Sequence, residues 1–334
     1  MTNTSDTDDR GIGELLREVG ARDEPSAEIT QAVQAAVYAE WRAEVQERTR
    51  ARRRRVFAIA ASVAVVAVSA TVGTILLAPK PTIVANIAHV DGRLLVASGE
   101  AALAPRAAGE AIRTGDMLHT DAASRASIAI ADGLSARLDR DTTLRVTAQD
   151  TFVLDTGALY IDAPSQAGNA HPLVIETHAG SVRHVGTQYE VRTYPGDITV
   201  SVREGRVLIE SAGGRIPGEA GERVQITMNG RATRTRLSPQ DPHWQWVTQA
   251  APPFDIENRP LAEFLTWAAR ETGRKLTYAS PQVRGVAEQV RLRGSIAGLD
   301  PDKALATVLS TTQLRQRATE DETLAIDLAE EPSR

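Results

Sequence analysis

The chain has 334 residues and no cysteine. Disulfides, zinc-thiolate sites and thiol nucleophiles are therefore excluded, and any chemistry must come from histidines, carboxylates or hydroxyls. The six histidines are His89, His119, His171, His178, His184 and His243. None falls into HExxH or another compact ligand spacing. His178 and His184 flank a turn and could approach each other, but a lone strand histidine is more often solvated or simply hydrogen-bonded than a metal ligand. Asp139 and Asp141 stand near a hairpin. Two carboxylates are what glycoside hydrolysis requires, yet without a cleft this pair reads as solvated turn residues. There is no GxSxG, no P-loop and no GxGxxG in a strand-to-helix context. The pattern points to no enzyme, no metal and no cofactor. A net charge of -5 also argues against a general nucleic-acid footprint.

The elements around these residues explain the chain better than its chemistry does. Val56 to Leu77 carries no charge. As a helix it would run about 33 Å, enough for a hydrocarbon core of about 30 Å. Arg52, Arg53, Arg54 and Arg55 abut its N-terminal end, and only Lys80 lies close beyond the other. The positive-inside rule then places the N-terminus in the cytoplasm and everything after Pro79 outside it. The expectation is a single-pass protein of a bacterial inner (plasma) membrane, in contact with lipid over residues 56–78, with its C-terminus in the periplasm.

Residues 1–55 form the expected cytoplasmic arm. Ile12, Leu15, Leu16 and Val19 share one face of a short helix; Ile29, Val33, Val37, Trp41 and Val45 recur every four residues along a second. So short a segment buries little surface by itself. Its apolar faces either pack on each other or serve a partner, for which Val37, Trp41 and Val45 are the candidate residues.

From Ile83 to Arg236 short apolar alternations recur between turn signals spaced about 8 to 12 residues apart, which predicts an all-β unit: sandwich, barrel or solenoid. Ile128, Ile130, Leu134, Ala136 and Leu138 alternate across Asp132-Gly133, and Glu204-Gly205 and Asn229-Gly230 read as hairpin-type turns. Residues 237–253 read as a linker. Over 254–330 two strand–helix–strand units are expected. Leu261, Phe264, Leu265 and Ala268 form one helical face, Gly273 a helix stop, and Asp300-Pro301 a helix start.

Several of these segments carry a resemblance. The run IETHAGSVRHVGTQYEVRTY, then ITVSVREGRVLIES, then AGERVQI, with GDMLHT, IAIADG and LDTGALYID upstream, resembles the FecR family. Residues 83–236 would be its β-rich periplasmic sensing domain, a solenoid or sandwich. Gly186, Thr187, Glu204, Gly205, Gly221 and Glu222 are its motif residues, and their expected role is structural: glycines for positive φ or close backbone approach, Thr187 and Glu222 for local hydrogen bonds at turns. The stretch FDIENRPLAEFLTWAARETG is similar to the opening of an STN module, which implies a small α+β domain at the C-terminus. The resemblance implies an anti-sigma regulator whose inner partner is a sigma factor of the extracytoplasmic-function type and whose outer partner is a TonB-dependent receptor in the outer membrane. The alternative is an anchored envelope scaffold without sigma-factor binding.

Overall fold

A computed structural model describes residues 81–130, 133–163, 172–318 and 322–329, with 27–28, 31–33, 35 and 37 near the N-terminus. The chain divides into two units, Met1–Pro79 and Lys80–Arg334. In the first, the described residues are helical and exposed, Val33 and Val37 among them. Trp41, Val45, Arg52 to Arg55 and the expected span 56–78 lie outside the described residues. Among the described residues no helix is long and apolar enough to cross a membrane.

The second unit begins with sixteen strands. They are β1 (Ile83–Asp91), β2 (Leu94–Ser98), β3 (Ala104–Arg106), β4 (Ala111–Arg113), β5 (Asp116–Thr120), β6 (Arg125–Ile130), β7 (Ser135–Leu138) and β8 (Thr143–Val146). There follow β9 (Thr151–Thr156), β10 (Ala158–Asp162), β11 (Val174–Thr177), β12 (Gly180–Tyr194), β13 (Asp197–Ser211), β14 (Gly214–Glu219), β15 (Glu222–Thr227) and β16 (Ala232–Arg236). All belong to one sheet that runs β3-β2-β5-β8-β9-β11-β12-β10-β7-β6-β1-β4, with β13 to β16 branching from β12.

Only β9 and β11 pair in parallel among the described strands of this sheet. Stacked solenoid coils would pair mainly in parallel, so the expected solenoid gives way to an open half-barrel of hairpins. Alternation decides which residues go inside. Ala136, Leu138, Leu159, Ile161, Tyr189, Val191, Val200 and Val202 join one apolar cluster that runs from Val84 to Ile226. The residues between them point the other way, because successive side chains on a strand alternate faces.

Residues 237–253 are more than the expected linker. Asp241 caps a 3-10 turn at Pro242–Trp244, its carboxylate accepting the His243 N–H at 2.8 Å. The helix α1 (Gln245–Gln249) follows. Leu237, Trp244, Trp246, Val247 and Ala250 are buried with Ala158 and Tyr160 in a cluster of their own, so the segment straps the outer face of the sheet.

The rest folds as α2 (Leu261–Thr272), β17 (Lys275–Tyr278), α3 (Pro281–Gln289), α4 (Pro301–Ser310), β18 (Leu314–Arg317) and β19 (Thr323–Leu328). The three strands order β17-β19-β18. The expected stripe Leu261, Phe264, Leu265 and Ala268 is fully buried, Gly273 ends α2 at φ 66°, and Asp300 caps α4 through the Lys303 N–H at 2.8 Å. Two expectations fail. Phe254–Ile256 is not a strand; its only ladder contact nearby is a bridge between Pro260 and Arg291. The helix α3, absent from the sequence reading, is capped by Ser280 and starts at Pro281.

Candidate functional interface

The motif glycines meet in one place. Along the β12–β13 ladder Val185 faces Arg206 and Gln188 faces Glu204, so Gly186 and Thr187 lie opposite Gly205 alone; Tyr189 then faces Val202, leaving Arg203 as an extra residue. Glu204-Gly205 is thus not the hairpin turn the sequence suggested. It is a bulge inside a fifteen-residue strand, and bulges bend and twist the strand that carries them. The bend has a reason: before it β13 pairs with β15, and after it with β14. Gly205 has φ 76°, and a Cβ there would lie 2.5 Å from the Gly186 carbonyl oxygen and 2.7 Å from Thr187 Cγ2.

The third motif piece bonds to the same bulge. Ala220 N–H donates to the Gly205 carbonyl at 3.0 Å and Gly221 N–H to that of Val202 at 2.9 Å. Glu222 accepts from the Glu219 N–H at 3.1 Å and from Arg234 at 2.8 Å, as expected of a local turn residue. Thr187 does not fulfil its expectation: its hydroxyl is buried without a hydrogen-bond partner.

From this knot a polar row crosses the outer face of the sheet. Arg137 on β7 faces Tyr160 on β10; Tyr160 faces Glu190 on β12; Glu190 faces Ser201 on β13. A charged row left in water would be ordinary. Here the strap and α2 cover it, and every charge finds a partner. Arg137 makes two hydrogen bonds to Glu271, at 2.8 and 2.6 Å, and a third to the Val247 carbonyl at 2.9 Å. Burial alone would favour loss of its proton, but the facing Glu271 carboxylate more than offsets this and raises its pKa. Trp246 donates its indole N–H to Glu190 at 2.8 Å, and His243 and Arg192 sit 3.1 and 3.2 Å from the same carboxylate. Burial pushes the Glu190 pKa up; hydrogen bonding from His243 and the charge of Arg192 outweigh it and hold the group ionised.

Two more arginines tie α2 to the bulge. Arg203, the extra residue of β13, donates to the Pro239 carbonyl at 2.7 Å and the Glu271 carbonyl at 3.1 Å, with its guanidinium 5.4 Å from the Trp244 ring. Arg270 pairs with Asp162 and approaches Glu204 at 4.0 Å. The C-terminus of α2 is thereby docked on the FecR-like knot. Such a buried lattice fixes one geometry; breaking it leaves an uncompensated charge.

The sequence-level candidates for chemistry scatter. Asp139, read as solvated, is buried between Arg125 (2.9 Å) and Arg192 (2.8 Å); Asp141 is an exposed turn residue at φ 50°. Among the described residues no group of three or more His, Asp or Glu is placed to hold a metal. His178 is exposed, whereas His184 is buried against Tyr189 with neither ring nitrogen hydrogen-bonded. Burial pushes the His184 pKa below its ordinary 6.5. The unfolded chain gains a proton there below pH 6.5 and the folded chain resists it. Stability from this group is therefore present above pH 6.5 and lost as pH falls toward the depressed folded value, at up to about 1.4 kcal/mol per pH unit. Urea unfolding between pH 7.5 and 5 should show this slope, and His184→Phe should flatten it; an unchanged slope in that variant would exclude His184 as its source.

Sequence reasoning missed Arg137, Glu190, Arg203 and Glu271. For Arg137, Glu190 and Arg203 the only signal was charge within apolar strands, which ordinarily marks a solvated face; Glu271, near the C-terminal end of α2, had no signal of its own.

Comparison with known proteins places this interface. The model of the FecR protein family matches residues 116–208, which include both bulges and Arg137, Glu190 and Arg203. No curated protein matches the chain. Two crystal structures, at 2.50 and 1.65 Å resolution, of a protein provisionally described as an anti-sigma factor from Parabacteroides distasonis ATCC 8503 are similar at 16% identity, with TM-scores of 0.34 and 0.35; each match covers 65% of this chain and 99% of that one. Over residues 116–208 this chain is similar to the FecR protein family.

Proposed function

We propose that the chain is a single-pass signal-transducing regulator of the bacterial inner membrane. Its FecR domain and C-terminal module would sense a periplasmic event, and its N-terminal arm would hold a cytoplasmic sigma factor of the extracytoplasmic-function type. The observation that carries the reading is the similarity of residues 116–208 to the FecR protein family. The uncharged segment Val56 to Leu77 behind four consecutive arginines supports the membrane assignment. The STN-like sequence of the C-terminal module fits an outer-membrane TonB-dependent receptor as the external partner. Signalling requires that this partner bind two states of the protein with different affinity. The arginine–carboxylate lattice offers a physical basis for two such states, docked and undocked.

Two measurements test the proposal. A reporter active only in the periplasm should work when fused after Arg334 and stay silent when fused at Arg50; the opposite pattern reverses the topology. The full chain should co-purify with a sigma factor, and Trp41→Ala should weaken that association by about 2 kcal/mol or more, as loss of an aromatic anchor does. If no sigma factor is captured and deleting residues 1–50 leaves transcription unchanged, the envelope-scaffold reading replaces this one.

A further inference from the structure

Two clefts border the C-terminal module, and their charges differ. The first, about 780 Å³, opens beside the β13 bulge and is lined by Arg203, Arg270, Arg274 and Lys275 together with Glu204 and Glu322. Its charges are largely answered: Arg270 pairs with Asp162, and Arg274 with Asp302 at 2.7 Å. The second, about 660 Å³, lies between the end of β1, the end of the strap, α2 and the loop before α4. Asp91, Asp255 and Asp300 line it, and no lysine or arginine does. Asp300 is taken up by Lys303 at 2.8 Å. Asp91 and Asp255 are exposed, and neither has an ion-pair partner among the described residues.

The same cleft has an aromatic wall. Phe254 and Trp267, both half-buried, stack with centroids 5.0 Å apart and planes 24° from parallel. Arg259 already places its guanidinium 5.3 Å from the Phe254 ring. Leu299 and Pro253 add exposed apolar surface. A concave site of this volume admits two or three side chains. Apolar walls and two unanswered carboxylates together suit a cation attached to an apolar body, since a carboxylate gives a guanidinium or ammonium a charge-assisted hydrogen bond while the aromatic wall buries the apolar part.

We propose that this cleft docks a segment of a partner polypeptide that presents an arginine or lysine beside a large apolar side chain. Asp91 ends the first strand of the sheet and Asp255 precedes the C-terminal module, so the occupant contacts both and holds them together. The inference stands on the cleft alone and does not depend on the regulatory reading.

The test uses the purified full chain with three blocked probes: the tripeptides Leu-Arg-Leu and Leu-Glu-Leu, and N-acetylarginine amide. Calorimetric titration should show saturable binding of Leu-Arg-Leu, weakened by added salt, and none of Leu-Glu-Leu. The exposed double substitution Asp91→Asn with Asp255→Asn should leave the unfolding midpoint unchanged. An asparagine at 255 can still accept the Glu257 N–H that Asp255 accepts at 2.9 Å. It should weaken Leu-Arg-Leu by about tenfold or more. Absence of binding, equal binding of Leu-Glu-Leu, or undiminished binding by the double variant overturns the proposal. So does equally tight binding of N-acetylarginine amide, which would make a free organic cation the occupant.

Discussion

Arg137→Met should destabilise the docked unit by about 3 to 5 kcal/mol, the usual consequence of removing one partner from a buried ion pair. Methionine fills much of the arginine's volume, so the loss reports charge rather than a cavity. It strands the Glu271 carboxylate, whose own exposure is 6% on the side chain. The remaining neighbour, Arg203, bonds to the Glu271 backbone carbonyl and not to its carboxylate. The partner substitution Glu271→Leu should cost a similar amount by stranding Arg137. The double variant Arg137→Met with Glu271→Leu should recover to within about 1 kcal/mol of the parent or exceed it, since an apolar pair of similar volume carries no desolvation cost. Urea unfolding of the four proteins closes the cycle. Additive single and double effects would mean that the two side chains are not coupled and that the docking is apolar in origin.

The outcome bears on function. If the apolar pair is as stable as the ionic one, the lattice of Arg137, Glu271, Arg203, Arg270 and Asp162 is present for geometry rather than for strength. In that case the charges would set the register of α2 on the sheet, and a partner that competed for them would release it. An apolar seam of the same area would tolerate several registers. On the proposed regulatory reading, the prediction therefore separates a fixed brace from a reversible clasp: in a clasp, the apolar variant should stay docked when an external partner binds.

Much of the fold was legible in the sequence because it depends on local patterns. Leu261, Phe264, Leu265 and Ala268 recur at helical spacing, and all four are buried on one face of α2. Ala136, Leu138, Leu159 and Ile161 alternate as the inner face of strands requires, and all four are in the core. The helix α3 also had its signals, a Ser-Pro start and Val283, Val286 and Ala287 at i, i+3 and i+4; they were overlooked beside the expected duplication. What could not be read was non-local. Arg137 and Glu271 are 134 positions apart, and a charged residue at an alternate strand position looks the same whether water or another module covers it. The strap shows the same limit. Two tryptophans in a Pro- and Gln-containing stretch gave composition, while their burial depends on Tyr160, which lies far back in the chain. Glu204-Gly205 was legible as a glycine requirement but not as a bulge, because only the facing Gly186-Thr187 distinguishes the two.

Gly205→Ala should destabilise the β domain by about 3 kcal/mol or more. Two costs combine. A non-glycine residue at φ 76° carries about 1 to 2 kcal/mol of backbone strain. The new Cβ would also sit 2.5 Å from the Gly186 carbonyl oxygen, and a backbone atom cannot swing aside as a long side chain can. The strands must part at the bulge, which pulls on the Ala220 N–H bonded to the Gly205 carbonyl and on the neighbouring Arg203. Gly221→Ala is the internal control. It has φ 79° and belongs to the same knot, but its added Cβ would meet only the Leu237 carbonyl oxygen, at 3.9 Å. It should show the backbone strain alone. The difference between the two variants in urea unfolding isolates the close approach of the two bulges. Trp244 gives a second reading, because Arg203 lies over its ring: fluorescence should shift in Gly205→Ala under native conditions and stay as in the parent in Gly221→Ala. Equal losses from the two substitutions would mean that the facing glycines are there for their dihedral angles only, and that the bulges do not need to touch.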